Sequence, residues 1–183
     1  EFQTTNLDIS IRHRIAADVE EPGATVASGK ILTSIVKTLP DAAVMFEGGE
    51  RVLTIQCDKS SFRLNTLDPA DFPEFPEYDL DRTVELPSDL LSEMVGKVYK
   101  VTSKDTSRPI LSGVLLTVED NTIRLVATDS YRLAVCDSNV ETSSIQEAFE
   151  TIVPGNTFHD VLSLPSMTER ITIGTTNSQV VFA

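Results

Sequence analysis

The residues best spaced for chemistry are lysines. Lys97, Lys100 and Lys104 stand at i, i+3 and i+7, and Lys30 and Lys37 are seven apart. On helices, these spacings put each set on one face. A stripe of ammonium groups neutralises phosphates and binds nucleic acid weakly, without regard to sequence. The plainer reading is a solvated helix face. Nothing reads as catalytic. Asp129, Ser130 and Arg132 lie together, but Ser130 lacks the glycines of a nucleophile elbow and has no histidine close in sequence. Glu20-Glu21 and Glu119-Asp120 fall in turn sequences, where carboxylates are solvated. Gly48-Gly49 reads as a hairpin turn, not a phosphate-cradling loop. Cys57 and Cys136 sit singly in apolar runs, as reduced, buried thiols of a cytoplasmic chain do. With only His13 and His159 beside them, they do not make a zinc cluster. No catalytic residue, metal site or cofactor is assigned.

The chain has 183 residues, enough for one ordinary domain or two small ones. Acids outnumber bases 28 to 15, for a net charge of −13. Taken alone, that balance argues against a nucleic-acid binder with a basic surface. Net charge, however, does not say where the charges sit. No apolar run approaches the length of a membrane span, and no signal-peptide pattern is present.

The elements that must position these residues are mostly strands. Period-two alternation marks Leu7 to Arg12, Val52 to Cys57 and Ser61 to Thr66. Ile110 to Val118, Thr122 to Ala127, Arg132 to Cys136, Ile171 to Ile173 and Val180 to Phe182 read alike. Three segments predict helices. Ser28 caps one carrying Ile31, Leu32, Ile35, Val36 and Leu39, closed by Pro40. Ser88 caps a second with Leu90, Leu91, Met94, Val95 and Val98 inward. Pro154 opens a third, with Phe158, Val161 and Leu162 inward and Pro165 after it. Residues 67–81 hold three prolines, six acids and no base, an extended linker whose aromatic residues pin it to a neighbouring surface.

The two sides of that linker look alike. Thr4-Thr5-Asn6-Leu7-Asp8-Ile9 parallels Ala127-Thr128-Asp129-Ser130-Tyr131-Arg132. Val26 to Pro40 parallels Val153 to Pro165, and Arg51 to Ile55 parallels Arg170 to Ile173. All three offsets are about 120 residues, so a unit is duplicated. Residues 83–123 have no counterpart ahead of residue 1, which points to a fragment of a longer repeat protein.

The sequence resembles the bacterial β sliding clamp family, the processivity subunit of DNA polymerase III. Val126-Ala127-Thr128-Asp129-Ser130-Tyr131-Arg132-Leu133-Ala134-Val135 looks like the family's Ala-Thr-Asp-Gly-His-Arg-Leu-Ala signature. Ser61 to Leu67 followed by Ala70-Asp71-Phe72-Pro73, Arg108-Pro109-Ile110-Leu111-Ser112-Gly113, and Glu21-Pro22-Gly23-Ala24 before a helix also resemble it. The resemblance implies an α+β DNA-clamp fold of duplicated antiparallel-sheet units with two helices packed on one face. It implies that residues 1–67 are the C-terminal part of clamp domain one, 68–82 the linker, and 83–183 domain two without its last strand.

The resemblance further implies a non-catalytic, homodimeric ring that slides on duplex DNA. The ring would hold the DNA polymerase III alpha subunit, the clamp loader and other clamp-motif proteins through a peptide pocket. Lys30, Lys37, Lys97, Lys100 and Lys104 would then face DNA. Arg108, Leu111, Thr128, Ser130, Tyr131, Arg132 and Leu133 match pocket positions, although Ser130 and Tyr131 stand where Gly and His are frequent. Phe62 and Leu64 fall at the ring interface. The alternative reading is an acidic, β-rich interaction scaffold with no DNA role.

Overall fold

The computed structural model describes residues 1–75, 82–105, 107–141, 147–164, 168–176 and 178–183. The chain divides into two compact units, Glu1–Pro76 and Glu77–Ala183.

In the first unit, β1 (Phe2–Thr5) and β2 (Ser10–His13) form a two-stranded antiparallel hairpin. The Leu7–Arg12 alternation is therefore only half right, because residues 6–9 are spent on the turn. Leu7 adopts a left-handed φ of 77° there. β3 (Val26–Ala27) leads through Ser28 into α1 (Gly29–Val36), followed by β4 (Val44–Gly48), β5 (Val52–Cys57) and β6 (Ser60–Leu67). The sheet order is β3-β6-β5-β4. Leu53, Ile55 and Leu64 make a small core, and Leu32 and Ile35 of α1 rest on it. Ser28 stands at the N-cap, but its hydroxyl makes no capping bond; only its carbonyl accepts from the Leu32 N–H, at 2.9 Å. Leu39 packs against the same core from the turn that follows the helix, not from the helix itself.

Residues 68–75, the described part of the expected linker, open with a 3-10 turn over Pro69–Asp71, capped by the Asp68 carboxylate on the Ala70 N–H at 2.9 Å. The Arg12 guanidinium lies 4.0 Å over the Phe75 ring and holds the segment by a cation–π contact. Residues 76–81 of that linker, and Pro165 after the third helix, lie outside the described residues.

The second unit runs β7 (Arg82–Pro87), α2 (Ser88–Val98), β8 (Gly113–Glu119), β9 (Thr122–Thr128), β10 (Leu133–Asn139), β11 (Phe149–Pro154), α3 (Gly155–Leu162), β12 (Arg170–Thr175) and β13 (Val180–Phe182). Its two sheets have the orders β10-β9-β8-β11 and β13-β12-β7. Two strand–helix–hairpin halves thus exchange first strands: β11 adds to β8 of the first half, and β7 adds to β12 of the second. The exchange ties the sheets together, and α2 and α3 close one core with them. Val84, Leu86, Leu91, Met94, Val98, Leu116, Ile123, Leu125, Phe158 and Ile173 are all buried in it. At about 25 cal/mol per Å² of apolar surface, this core is the main stabilising term of the unit.

Both helices begin one residue from where the sequence places them. Pro87 and Pro154 occupy the N-cap positions, so Ser88 is the first helical residue and not a cap. The Ser88 N–H is bonded to the Glu169 carbonyl at 3.0 Å, which fixes it at the helix entry. Ile110, expected in a strand, lies in a 3-10 turn over Pro109–Ser112. β8 starts only at Gly113, where an added Cβ would come 2.3 Å from Ile152 Cγ2 and 3.2 Å from the Val153 carbonyl oxygen. Among the described residues, no helix is long and apolar enough to cross a membrane.

Candidate functional site

The most constrained surface feature is the turn from β9 to β10. Thr128 Oγ1 accepts from the Ser130 N–H at 3.2 Å and donates to the Arg132 carbonyl at 2.8 Å. Asp129 Oδ1 accepts from the N–H groups of Tyr131 and Arg132, both at 3.0 Å. Asp129 Oδ2 accepts from Arg132 Nε at 3.0 Å. The backbone N–H of Tyr131, then those of Arg132 and its guanidinium, hold the Asp129 carboxyl below its ordinary range. Ser130 sits at φ 78°, a left-handed conformation that costs an L-residue free energy.

So fixed, the turn presents apolar groups to solvent. Tyr131 is 97% exposed and Leu133 66%. The Arg132 Nη2 reaches on to the Lys100 carbonyl at 3.1 Å and ties the turn to the chain that leaves α2. Three residues later, the Ser103 N–H bonds the Leu111 carbonyl at 2.8 Å. The structure therefore brings Thr128, Ser130, Tyr131 and Arg132 into one hydrogen-bonded turn, with Leu133 paired opposite Thr128, while Leu111 is bonded to Ser103 on the chain that leaves α2. Arg108 accepts from the Leu111 N–H through its carbonyl at 3.0 Å, and its guanidinium lies 3.6 Å from Asp105 across an exposed ion pair.

The lysine stripe is shorter than its spacing suggests. α2 ends at Val98, and Lys100 lies in a 3-10 turn over Tyr99–Val101. Thr102 is extended, with its hydroxyl on the Tyr99 carbonyl at 2.8 Å, and Ser103 is drawn toward Leu111. Lys104 is therefore off the helix. The exposed edge of α2 carries Asp89 and Glu93 before Lys97, an order that suits the helix dipole. Lys97 Nζ donates to Glu93 Oε1 at 2.6 Å, which pushes the lysine's pKa up. Lys30 lies on α1 and Lys37 at its C-cap, both exposed.

Leu64 is only 6% exposed and belongs to the first unit's core, so its side chain is not a free interface group. Phe62 is half-buried on the same face, and both line a shallow groove between α1 and β6 with Ile31 and Ile35.

Sequence reasoning missed a second cleft, between α2 and α3. It is lined by Ser92, Gly96, Tyr99, Lys100, His159 and Ser163. The His159 ring stacks on Tyr99 at 4.4 Å between centroids, tilted by 32°. The available signal was that His159 is the one group on α3 able to carry positive charge. Among the described residues, no group of three or more His, Cys, Asp or Glu side chains could hold a metal ion.

An internally duplicated α+β unit, with exchanged first strands and two helices over its sheets, is the class of protein this geometry defines. Comparison with known proteins narrows it. The family model of the DNA polymerase III beta subunit, central domain, matches residues 85–183, and that of the N-terminal domain matches residues 1–76. The chain is 30% identical over 191 residues to the beta sliding clamp of Bacillus subtilis, covering 99% of this chain and 50% of that protein. It is 32% identical over 167 residues to that of Staphylococcus epidermidis, covering 90% and 44%. The crystal structure of the Bacillus subtilis DNA polymerase sliding clamp superposes with a TM-score of 0.83 at 30% identity, covering 91% of this chain and 44% of that one. The DNA polymerase III beta subunit of Thermotoga maritima gives 0.81 at 27% identity, covering 92% and 46%. The chain belongs to the DNA polymerase III beta subunit family. It spans about half the length of the curated relatives it matches.

Proposed function

We propose that the chain is part of a processivity clamp, a non-catalytic cytoplasmic ring that encircles duplex DNA and tethers the replicative polymerase. The pair of helices on the second unit carries this reading. α2 and α3 lie side by side with Lys97, Lys100 and His159 outward, on a unit matched by the family's central-domain model. Exposed cations on a short helical surface give the weak, sequence-independent phosphate contacts that sliding requires. Lys97, Lys100 and, in the first unit, Lys30 and Lys37 are the assigned contacts; Lys104 is a secondary one, off the helix.

Leu111, Thr128, Ser130, Tyr131, Arg132 and Leu133, with Arg108 beside them, are assigned to a pocket for a short linear motif. The partners in this reading are the DNA polymerase III alpha subunit, the clamp loader and other motif-bearing proteins. Exposed Tyr131 and Leu133 supply apolar contact, and the hydrogen-bonded turn supplies rigidity. The α1–β6 groove with Phe62 is assigned to the homodimeric ring interface, with Leu64 acting as the floor. In this reading, residues 1–67 come from clamp domain one and 83–183 from domain two.

The test is salt-dependent binding of unrelated duplexes to the 183-residue chain, followed by the backbone amide NMR signals of Lys97 and Lys100. Sequence-independent shifts that fade with rising salt are expected. Their absence favours the acidic interaction scaffold, for which the net charge of −13 speaks, and would overturn the clamp assignment.

A further inference from the structure

The segment that leaves the first unit carries a short repeat that the clamp reading leaves unused. In Phe72-Pro73-Glu74-Phe75-Pro76, an aromatic residue precedes proline twice, at a spacing of three. A proline keeps the residue ahead of it extended. Phe72 stands at φ −77° and ψ 132°, in the polyproline II range. That helix turns once every three residues, so Phe72 and Phe75 share one face. Burial follows the same period. Phe72 and Phe75 are half-buried, whereas Asp71, Pro73 and Glu74 are exposed.

The seat for that face is the β1–β2 hairpin. Arg12 lies opposite Gln3, and Phe2 opposite His13, so Arg12 and Phe2 belong to different faces of the hairpin. Phe2 meets Phe46 of β4 edge to face, with ring centroids 6.3 Å apart. The other face presents Arg12, whose guanidinium covers the Phe75 ring at 4.0 Å. Glu1 Oε1 lies 3.7 Å from Arg12 Nε and accepts from Gln3 Nε2 at 2.6 Å. Glu1 thus engages Nε while the guanidinium face stacks on the ring, two contacts that a planar cation can make at once. A two-stranded hairpin is marginal by itself in water. A proline-stiffened segment, in turn, loses little conformational freedom on docking against it.

We propose that residues 68–75 form a strap of the first unit, locked to the hairpin by Arg12 over Phe75. The strap is a conformational device that fixes where the chain leaves the unit. The exit then lies beyond Phe75, and not at Leu67, where the last strand of the unit ends. The compact division of the chain after Pro76 agrees with it. The lock needs neither DNA nor a peptide partner, so its test and that of the clamp assignment have separate outcomes.

The experiment digests the 183-residue chain with a glutamate-specific protease. Glu74 lies within the strap, and Glu20 and Glu21 lie in an exposed segment ahead of β3. Mass spectrometry reads all three sites in one digest. Arg12→Ala should speed cleavage after Glu74 by about 2–5-fold, the scale of an exposed cation–π contact. Glu20 and Glu21 should be cleaved at the parent's rate. Arg12→Lys, which keeps a cation at the ring, should fall between the two. NMR reads the contact directly. The Arg12 side-chain protons over the Phe75 ring should resonate upfield of those of Arg14, and Phe75→Leu should abolish the difference.

Cleavage after Glu74 at the parent's rate in Arg12→Ala overturns the lock. So does a parent chain in which Arg12 and Arg14 resonate alike, or a Phe75→Leu chain whose Arg12 signals stay upfield. If Arg12→Ala speeds all three sites equally, the hairpin itself has opened and the NMR comparison decides. An upfield Arg12 in the parent that is lost in Phe75→Leu then upholds the lock, and any other pattern refutes it.

Discussion

The Glu93–Lys97 pair gives the sharpest test of the proposed contact between this helix face and DNA. Both side chains are more than half exposed, yet Lys97 Nζ and Glu93 Oε1 are 2.6 Å apart. A phosphate approaching Lys97 must either displace Glu93 or sit beside its charge. Glu93→Gln removes that competition and should add one effective cation to the DNA contact. Each neutralised phosphate steepens the dependence of log K on log salt by about 0.9. Over the fourfold range from about 50 to about 200 mM salt, that slope is worth about 3.5-fold. The ratio of duplex affinities at these two salts should therefore be about 3.5 times larger for Glu93→Gln than for the parent chain. Fluorescence anisotropy of a labelled duplex over a salt series measures it. Lys97→Gln alone should barely change the slope, because in the parent chain the lysine is already spent on Glu93. Thermal unfolding should hardly move, since exposed i,i+4 pairs contribute little. An unchanged slope for Glu93→Gln would show that Lys97 does not face phosphate at all.

Two further outcomes concern the β9–β10 turn. Ser130→Gly should stabilise the chain by about 0.5–1 kcal/mol, because relief of the left-handed φ outweighs glycine's entropy; a lower melting temperature in calorimetry would contradict this. The Asp129 carboxyl is held below its ordinary range, so its contribution is present above about pH 4 and is lost as pH falls through the lowered folded value. The amide signals of Tyr131 and Arg132 should therefore stay in place down to pH 4 and move below it. Asp129→Asn should keep the turn but free the Arg132 guanidinium, read as loss of the Arg132 Nε signal's protection from exchange.

Much of the fold is legible in the sequence because alternation is a local signal. Val52–Cys57 and Thr122–Thr128 read directly as strands, since every second residue is apolar and enters the core. What fails is what tertiary contacts decide. Lys104 reads as helical by spacing, but the Thr102 hydroxyl and the pull of Leu111 on Ser103 end the helix earlier. Ser88 looks like a cap because its residue type suits one; Glu169, about eighty residues on, holds its N–H instead. The Tyr99–His159 stack was out of reach, because it depends on α2 and α3 packing side by side.

The duplicated turn separates what the hairpin requires from what only the second copy carries. In the first unit, Thr5 Oγ1 accepts from the Leu7 N–H at 3.0 Å, and Asn6 Oδ1 accepts from Asp8 and Ile9 at 3.0 and 2.7 Å. Those are the bonds that Thr128 and Asp129 make in the second unit, with Leu7 at φ 77° and Ser130 at 78°. An amide oxygen thus does the turn's work as well as a carboxylate does, and the turn itself needs no charge. The negative charge of Asp129 has another client, the Arg132 guanidinium, which no residue of the first turn can replace, since Ile9 stands in its place. Through Arg132 the second turn gains its link to the Lys100 carbonyl, and so to the end of the helix that carries Lys97. The shared threonine and Asx residue build the hairpin in both copies. Where the copies differ, at Asp129, Tyr131, Arg132 and Leu133, the second turn gains the Asp129–Arg132 ion pair and the exposed Tyr131 and Leu133 side chains on which the proposed pocket rests.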